Sequence, residues 1–248
     1  MRVIVMFLMS VALWGQNQKT DWQKDNLKGK VKSVETATYR YVETNGKKEK
    51  GMPLSNFNTL EEYNAKGFKV LGKRTTADGK VATSWNYAYD ANNFLTKVEV
   101  HNAQNKPEET MKYTYQPDVQ QGEVLSFDAA GKPNGKQIVR YDANGNKISE
   151  LLLDPQGAFL MNTEITYDAK QNISEKKFED KQGKRVVLKY VYDAKNNILE
   201  ENYFGEGNQL YGQKKFSYKY DNQGNWIERT EHIYGVERVV TERKIVYF

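Results

Sequence analysis

The chain has no cysteine in 248 residues, which excludes structural disulfides, thiolate metal sites and a lipid-modified N-terminal cysteine. Histidine is nearly as scarce. The two present, His101 and His232, stand in no metal-binding or nucleophile pattern, so surface or sheet-packing roles are expected of them. No apolar run reaches the roughly 20 residues that a membrane-crossing helix needs. No window after residue 30 repeats its apolar residues at helical spacing, although LSNFNTLEEYNAKG, around Tyr63, leaves room for one helical turn. Charge of one sign is also lacking: 37 Lys and Arg face 32 Asp and Glu, for a net +5, and the signs alternate along every segment. A nucleic-acid partner calls for a basic stripe, and none is present.

The one long apolar stretch, Val3 to Trp14, follows Arg2 and precedes polar sequence, which is the layout of a secretory signal peptide. The expectation is a signal over residues 1–15, cut after Ala12 or after Gly15, then a coil over 16–30 and a repeat domain over 31–248. The mature protein is expected to be exported, periplasmic or extracellular.

What the chain does have is tyrosine, 17 residues of it, and one turn used many times. Aromatic-led turns begin at Tyr63, Tyr89, Tyr115, Tyr141, Tyr167, Tyr192 and Tyr220, and Tyr247 stands where an eighth falls due. Successive spacings are 26, 26, 26, 26, 25, 28 and 27 residues, and a second turn falls near each midpoint, as at Asp154 and Asp180. Each unit therefore reads as a β-hairpin of two segments of about 8 to 10 residues. In YDANGN, Tyr141 starts the motif, Asp142 caps the turn and Gly145 closes it in the left-handed region. Tyr89 and Asp90, Tyr167 and Asp168, Tyr192 and Asp193, and Tyr220, Asp221 and Gly224 are expected to do the same, with Asn93 and Asn196 in the glycine's place.

The strands entering the tyrosines alternate with period two, as in Val81, Thr83, Trp85, Tyr87, Tyr89 and in Phe159, Met161, Thr163, Ile165, Tyr167. One face is apolar and the other wet. The fold class is therefore all-β: tandem β-hairpin repeats of about 26 residues forming a curved antiparallel meander. With no helices to cover the tyrosine face, the sheet must curl, close barrel-like, fold over or stack on a second copy.

The pattern Y-x-Y-D-x-x-G-N, complete in YKYDNQGN (Tyr218 to Asn225) and partial in YAYDANN, VYDAKNN and ITYDAKQN, resembles the YD repeats of the RHS family of secreted bacterial proteins. The resemblance implies consecutive hairpins in one long curved sheet, which in large members spirals into a shell around a toxin. The chain is also similar to small exported YD-repeat proteins of Bacteroidota, which often begin with a strand like KGKVKSV, here Lys28 to Val34.

Three other readings compete with a plain repeat protein. The segments Asp142–Glu150 and Asp221–Glu228 look superficially like calcium loops, but their glycine is fourth where an EF-hand needs it sixth, so a plain turn is the better reading and no metal or cofactor is expected. A glycan hydrolase needs two carboxylates roughly 5 to 10 Å apart. The turn series Asp90, Asp142, Asp168, Asp193 and Asp221 repeats too regularly for a catalytic pair, so a non-enzymatic protein is expected, with the hydrolase as the alternative. A lipid-facing barrel fails on segments such as IERTEHIY, Ile227 to Tyr234, which carry charge on both faces.

The expected function is a binding or scaffold surface for a protein or glycan of the cell envelope, not an integral membrane protein, with a self-assembling envelope component as a further alternative. Residues that break the repeat, Trp85, Trp226, Tyr203, Phe204 and Tyr211, are the candidate ligand-binding aromatics. The repeated tyrosines are expected to be packing. The sequence leaves the oligomeric state open.

Overall fold

The structure is a computed structural model that describes residues 19–248, so the expected signal peptide lies outside the described residues. Helix is confined there to α1 (Asp21–Lys24) and two single 3-10 turns, Pro117–Val119 and Glu206–Asn208. The rest is strand: β1 (Val31–Thr44), β2 (Lys47–Pro53), β3 (Asn58–Tyr63), β4 (Lys69–Thr75), β5 (Val81–Tyr89), β6 (Leu95–Asn102), β7 (Pro107–Gln116), β8 (Gln121–Asp128) and β9 (Pro133–Tyr141). There follow β10 (Lys147–Leu153), β11 (Phe159–Tyr167), β12 (Ile173–Asp180), β13 (Arg185–Tyr192), β14 (Ile198–Phe204), β15 (Leu210–Tyr220), β16 (Trp226–Ile233) and β17 (Val236–Tyr247).

From β3 onward every strand pairs antiparallel with the next, and the meander closes when β17 pairs with β1 and β1 pairs with β3. Val34 lies opposite Ile245 across the first seam and opposite Glu61 across the second. The expected curling of the sheet is thus complete closure: β2 and β3 share one position beside β1, so 17 strands fill a 16-position barrel. A closed meander has no unpaired terminal strands on which a self-assembling component could add another copy. Among the described strands only β2 has a single partner, and its Lys47, Lys48, Glu49 and Lys50 make it a poor template for another strand.

Period-two patterning decides which face goes in. Thr83, Val98, Val124, Val139, Thr163 and Ile165 are buried on the inner face, and the tyrosines that end the strands point the same way. The outer wall is polar, with cross-strand pairs such as Lys219–Glu228 at 2.8 Å and Lys215–Glu200 at 3.1 Å. LSNFNTLEEYNAKG holds no helical turn. Asn58 instead accepts from the Thr38 backbone N at 2.9 Å and donates to the Leu54 carbonyl at 3.0 Å, which commits the segment to extended pairing with β1.

Candidate functional site

At one rim of the barrel, Asp142 Oδ1 accepts from the backbone N–H groups of Asn144 and Asn146 at 2.9 and 2.8 Å, and Gly145 sits at φ +76°. Asp90, Asp168, Asp193 and Asp221 repeat this arrangement on the residues two and four further on. Asn93, Asn196 and Gly224 take the left-handed position, at φ +65°, +63° and +86°. The hydroxyls of Tyr89, Tyr167 and Tyr192 donate to the carbonyls of Lys69, Lys147 and Ile173 at 2.7, 2.8 and 2.9 Å. Tyr220 donates to Asp193 at 2.9 Å, and Tyr247 donates to Asp221 in the same manner. Tyr141 breaks the series, since its buried hydroxyl has no hydrogen-bond partner among the described residues.

The residue after the left-handed position also recurs, as Asn146, Asn172, Asn197 and Asn225. Three of these are buried. The amide nitrogens of Asn146, Asn172 and Asn197 bond their own repeat's Asp, as Asn146 Nδ2 does to Asp142 at 2.9 Å and also to Gln171 at 2.6 Å, while that of Asn225 bonds the Lys28 carbonyl and the Tyr247 hydroxyl. The amide oxygens are left facing the mouth, and the N-terminal segment takes three of them. Lys19 Nζ reaches Asn146 at 2.9 Å, Asn26 Nδ2 reaches Asn197 at 3.2 Å, and the Lys28 backbone N reaches Asn225 at 2.7 Å.

That segment therefore lies across the mouth, tied at successive turns. Thr20 and Gln23 form a reciprocal capping box on α1. Asp21 accepts from the backbone N of Lys69 at 2.8 Å, and the Trp22 indole donates to the Val31 carbonyl at 2.9 Å. The Trp22 ring lies against Gly67, where an added Cβ would come within 2.6 Å of it, so glycine is required there by contact as well as by its φ of +89°.

Beneath the segment is a cavity of about 530 Å³, within the size range of small-ligand sites. Tyr167, Tyr192 and Tyr218 form much of its wall, their hydroxyls already spent on backbone carbonyls. Its two carboxylates are both matched: Glu150 pairs with Lys147 at 2.5 Å, and Asp25 with Lys69 at 3.0 Å. Lys69 also pairs with Glu61 at 2.7 Å, and the Tyr63 hydroxyl donates to both acids at 3.0 and 3.2 Å. One ammonium thus serves two carboxylates. Burial raises the Asp25 carboxyl above its usual range, opposed by Lys69 and reinforced by Glu61. Burial alone would lower the Lys69 ammonium, but Asp25 and Glu61 more than reverse this and raise it.

Besides Lys19, which bonds Asn146, and the exposed Lys170, three cations of the cavity wall have no such match. Lys176, Arg229 and Arg243 form no ion pair among the described residues. Arg243 lies 3.4 Å over the Trp226 ring centre and Arg229 lies 5.4 Å from it. Burial pushes Arg243 down to about 10 and lowers Lys176.

Of the five candidate aromatics, the structure brings only Trp226 to this cavity. Trp85 is on the inner face opposite Gly72 and Val100, with Arg74 5.8 Å away. Tyr203 donates to Glu201 at 2.8 Å and lies 6.2 Å from Tyr211, which is 55% exposed. Phe204 is half-buried under Lys189, 5.1 Å away. No group of three or more metal-ligating side chains forms among the described residues. His101 contacts Asn86 at 3.5 Å and His232 contacts Ser217 at 3.1 Å. Sequence reasoning missed the three unmatched cations. For Lys176 and Arg229 the signal was present in Ile173–Phe178 and Ile227–Tyr234, where charge falls on both faces of the strand, whereas Arg243 lies outside both segments.

Together these features define a closed antiparallel β-barrel of hairpin repeats with an internal cavity under an N-terminal strap. A porin-like protein from Bacteroides uniformis shares this fold, with a TM-score of 0.53 at 11% identity over 87% of this chain and 96% of that one. A porin-like protein from Bacteroides vulgatus is similar over 88% and 98%, at 11% identity and a TM-score of 0.45. The TcdB2-TccC3-Cdc42 complex is similar over 92% of this chain and 13% of that one, with 13% identity and a TM-score of 0.31. No protein-family model matches the chain, and no curated protein is recognisably similar in sequence. At these identities the likeness is one of fold alone.

Proposed function

We propose that this chain is a non-catalytic, exported β-barrel of YD-type hairpins that binds a protein or glycan of the cell envelope, its interior taking a sugar or a short peptide segment of that partner. The observation that carries this is the cavity itself: the repeat's tyrosines form its walls, and the acids on it are consumed by Lys147 and Lys69. A hydrolase needs a carboxylate free to move a proton to or from substrate, and Asp25 and Glu61 are instead held by one lysine and one tyrosine hydroxyl. The paired charges on the outer wall support a barrel that sits in water rather than lipid. No helix among the described residues is long and apolar enough to cross a membrane, although that test does not address strands.

Titration of the purified protein against panels of envelope glycans and peptides, with product analysis of the same mixtures, tests the reading. Saturable binding without turnover is expected. Turnover abolished by Asp25→Asn or Glu61→Gln would replace it with the hydrolase.

A further inference from the structure

The cavity's charge is unbalanced in a way that the fold does not need. Desolvating an ammonium or guanidinium without a carboxylate is costly, and interiors ordinarily avoid it. Here three such groups line one cavity, Arg243 and Arg229 together on the Trp226 ring and Lys176 on β12, while Glu150 is held by Lys147 and Asp25 shares Lys69 with Glu61. Arg243 Nε itself and one further donor, Thr163 Oγ1, are shut off from solvent and form no hydrogen bond among the described residues, and both residues line this cavity. Buried donors without acceptors are rare in folded proteins, so a cluster of them asks for an acceptor from outside the chain. The cavity also reaches the rim, where the exposed Lys170 and Asn196 line it, which gives a ligand an entry between turns.

We propose that the cavity binds an organic anion, its oxyanion group held by Arg243, Arg229 and Lys176 and its carbon body laid against Tyr167, Tyr192 and Tyr218. The inference deepens the envelope-ligand reading and rests on it, and within that reading it selects acidic saccharides over neutral ones. A planar guanidinium suits a carboxylate, sulfate or phosphate alike, so the group's identity is left to the probes. The tyrosine hydroxyls are already donated to carbonyls, so the rings offer contact surface rather than hydrogen bonds.

The test is isothermal titration calorimetry of the full chain with D-glucuronate, D-glucose 6-sulfate, D-glucose 6-phosphate and neutral D-glucose. At least one anion is expected to bind in preference to glucose, and the best of the three identifies the group. Arg243→Met is expected to weaken it about tenfold or more, the loss of a hydrogen bond to a charged group. Lys176→Met guards against a folding defect. It removes a desolvated, unmatched cation, so it should raise Tm by a few degrees while weakening the anion. Glucose and glucuronate bound equally would overturn the anion inference and leave the interior-binding function standing. Anion affinity unchanged in both variants would overturn it as well. No binding of any probe, alongside binding of a neutral glycan from the wider panels, would reject this inference alone, and no binding anywhere would reject both.

Discussion

The two rims of the barrel use the same turn and have different fates. At both, an Asp or Asn side chain accepts from the backbone N–H groups two and four residues on, as Asp142 does at one rim and Asp154, Asp180 and Asp128 do at the other. At both, the fourth position is left-handed, with Gly145 at φ +76° and Gly157 at +84°. The difference lies one residue later. The first rim has Asn146, Asn172, Asn197 and Asn225, while the second has Lys132, Ala158 and Lys184. The asparagines clasp neighbouring turns and the N-terminal segment, whereas the side chains of Lys132, Ala158 and Lys184 make no such clasp among the described residues. The closing of each hairpin is therefore local chemistry, and the covering of the mouth is a separate device built on a single side chain.

The largest effect should come from removing that device. Asn225 is 3% exposed, and its amide donates to the Lys28 carbonyl and to Tyr247 at 2.9 and 2.7 Å while accepting from the Lys28 backbone N at 2.7 Å. Asn225→Ala strands these groups and should cost about 3 kcal/mol, at roughly 1–3 kcal/mol per stranded partner. Lys184→Ala, at the matching place on the other rim, should stay within about 0.5 kcal/mol. Thermal unfolding followed by circular dichroism reads both. Equal shifts would mean that the asparagines do not distinguish the rims.

Next come Gly145→Val and Gly157→Val, each expected to cost roughly 2 kcal/mol because a β-branched residue is forced to positive φ. These two should match each other, since the turn geometry is common to both rims. A much larger loss at Gly145 would show that the strap, rather than the hairpin, depends on it. Smaller again is Tyr167→Phe, at about 1 kcal/mol for the lost bond to the Lys147 carbonyl, with no change expected for the exposed Tyr211→Phe.

The repeat was legible in sequence because everything that makes it is local: Asp and Gly at fixed offsets, and tyrosine every 26 residues or so. Closure was legible only as one option, barrel-like beside folding over or stacking, because Val34 meets Ile245 only after the whole meander has been accumulated strand by strand. The clasping asparagines were in view, but Asn beside Gly reads as turn filler until its neighbour turns are placed. The cavity cations were hidden by a register effect. A bulge accompanies most of the tyrosine turns, as between Thr166 and Tyr167, so Tyr167 faces Ile173 while Ile165 faces Lys176. Residues 173 and 176 thus share a face, which a strict period of two forbids. Parity counted across the turn therefore assigns Lys176 to solvent when it points inward.

The smallest effect is the one that separates the strap from the wall in solution. Asp25 is carried by the N-terminal segment, and its partners Glu61, Tyr63 and Lys69 belong to β3 and β4. Its carboxyl is raised above the ordinary value, chiefly by burial, so the folded state holds this proton to higher pH than the unfolded chain does. The stability that this proton brings is complete below the unfolded carboxyl value, near pH 4, and is lost as pH rises through the folded one. Side-chain exposure of 31% keeps the effect small. Asp25→Asn should therefore flatten the decline of Tm above pH 4 relative to the parent chain, with little change at pH 4 itself. A steeper decline in the variant would mean that ionised Asp25 holds the strap in place through Lys69, and that the mouth opens on acidification instead of tightening.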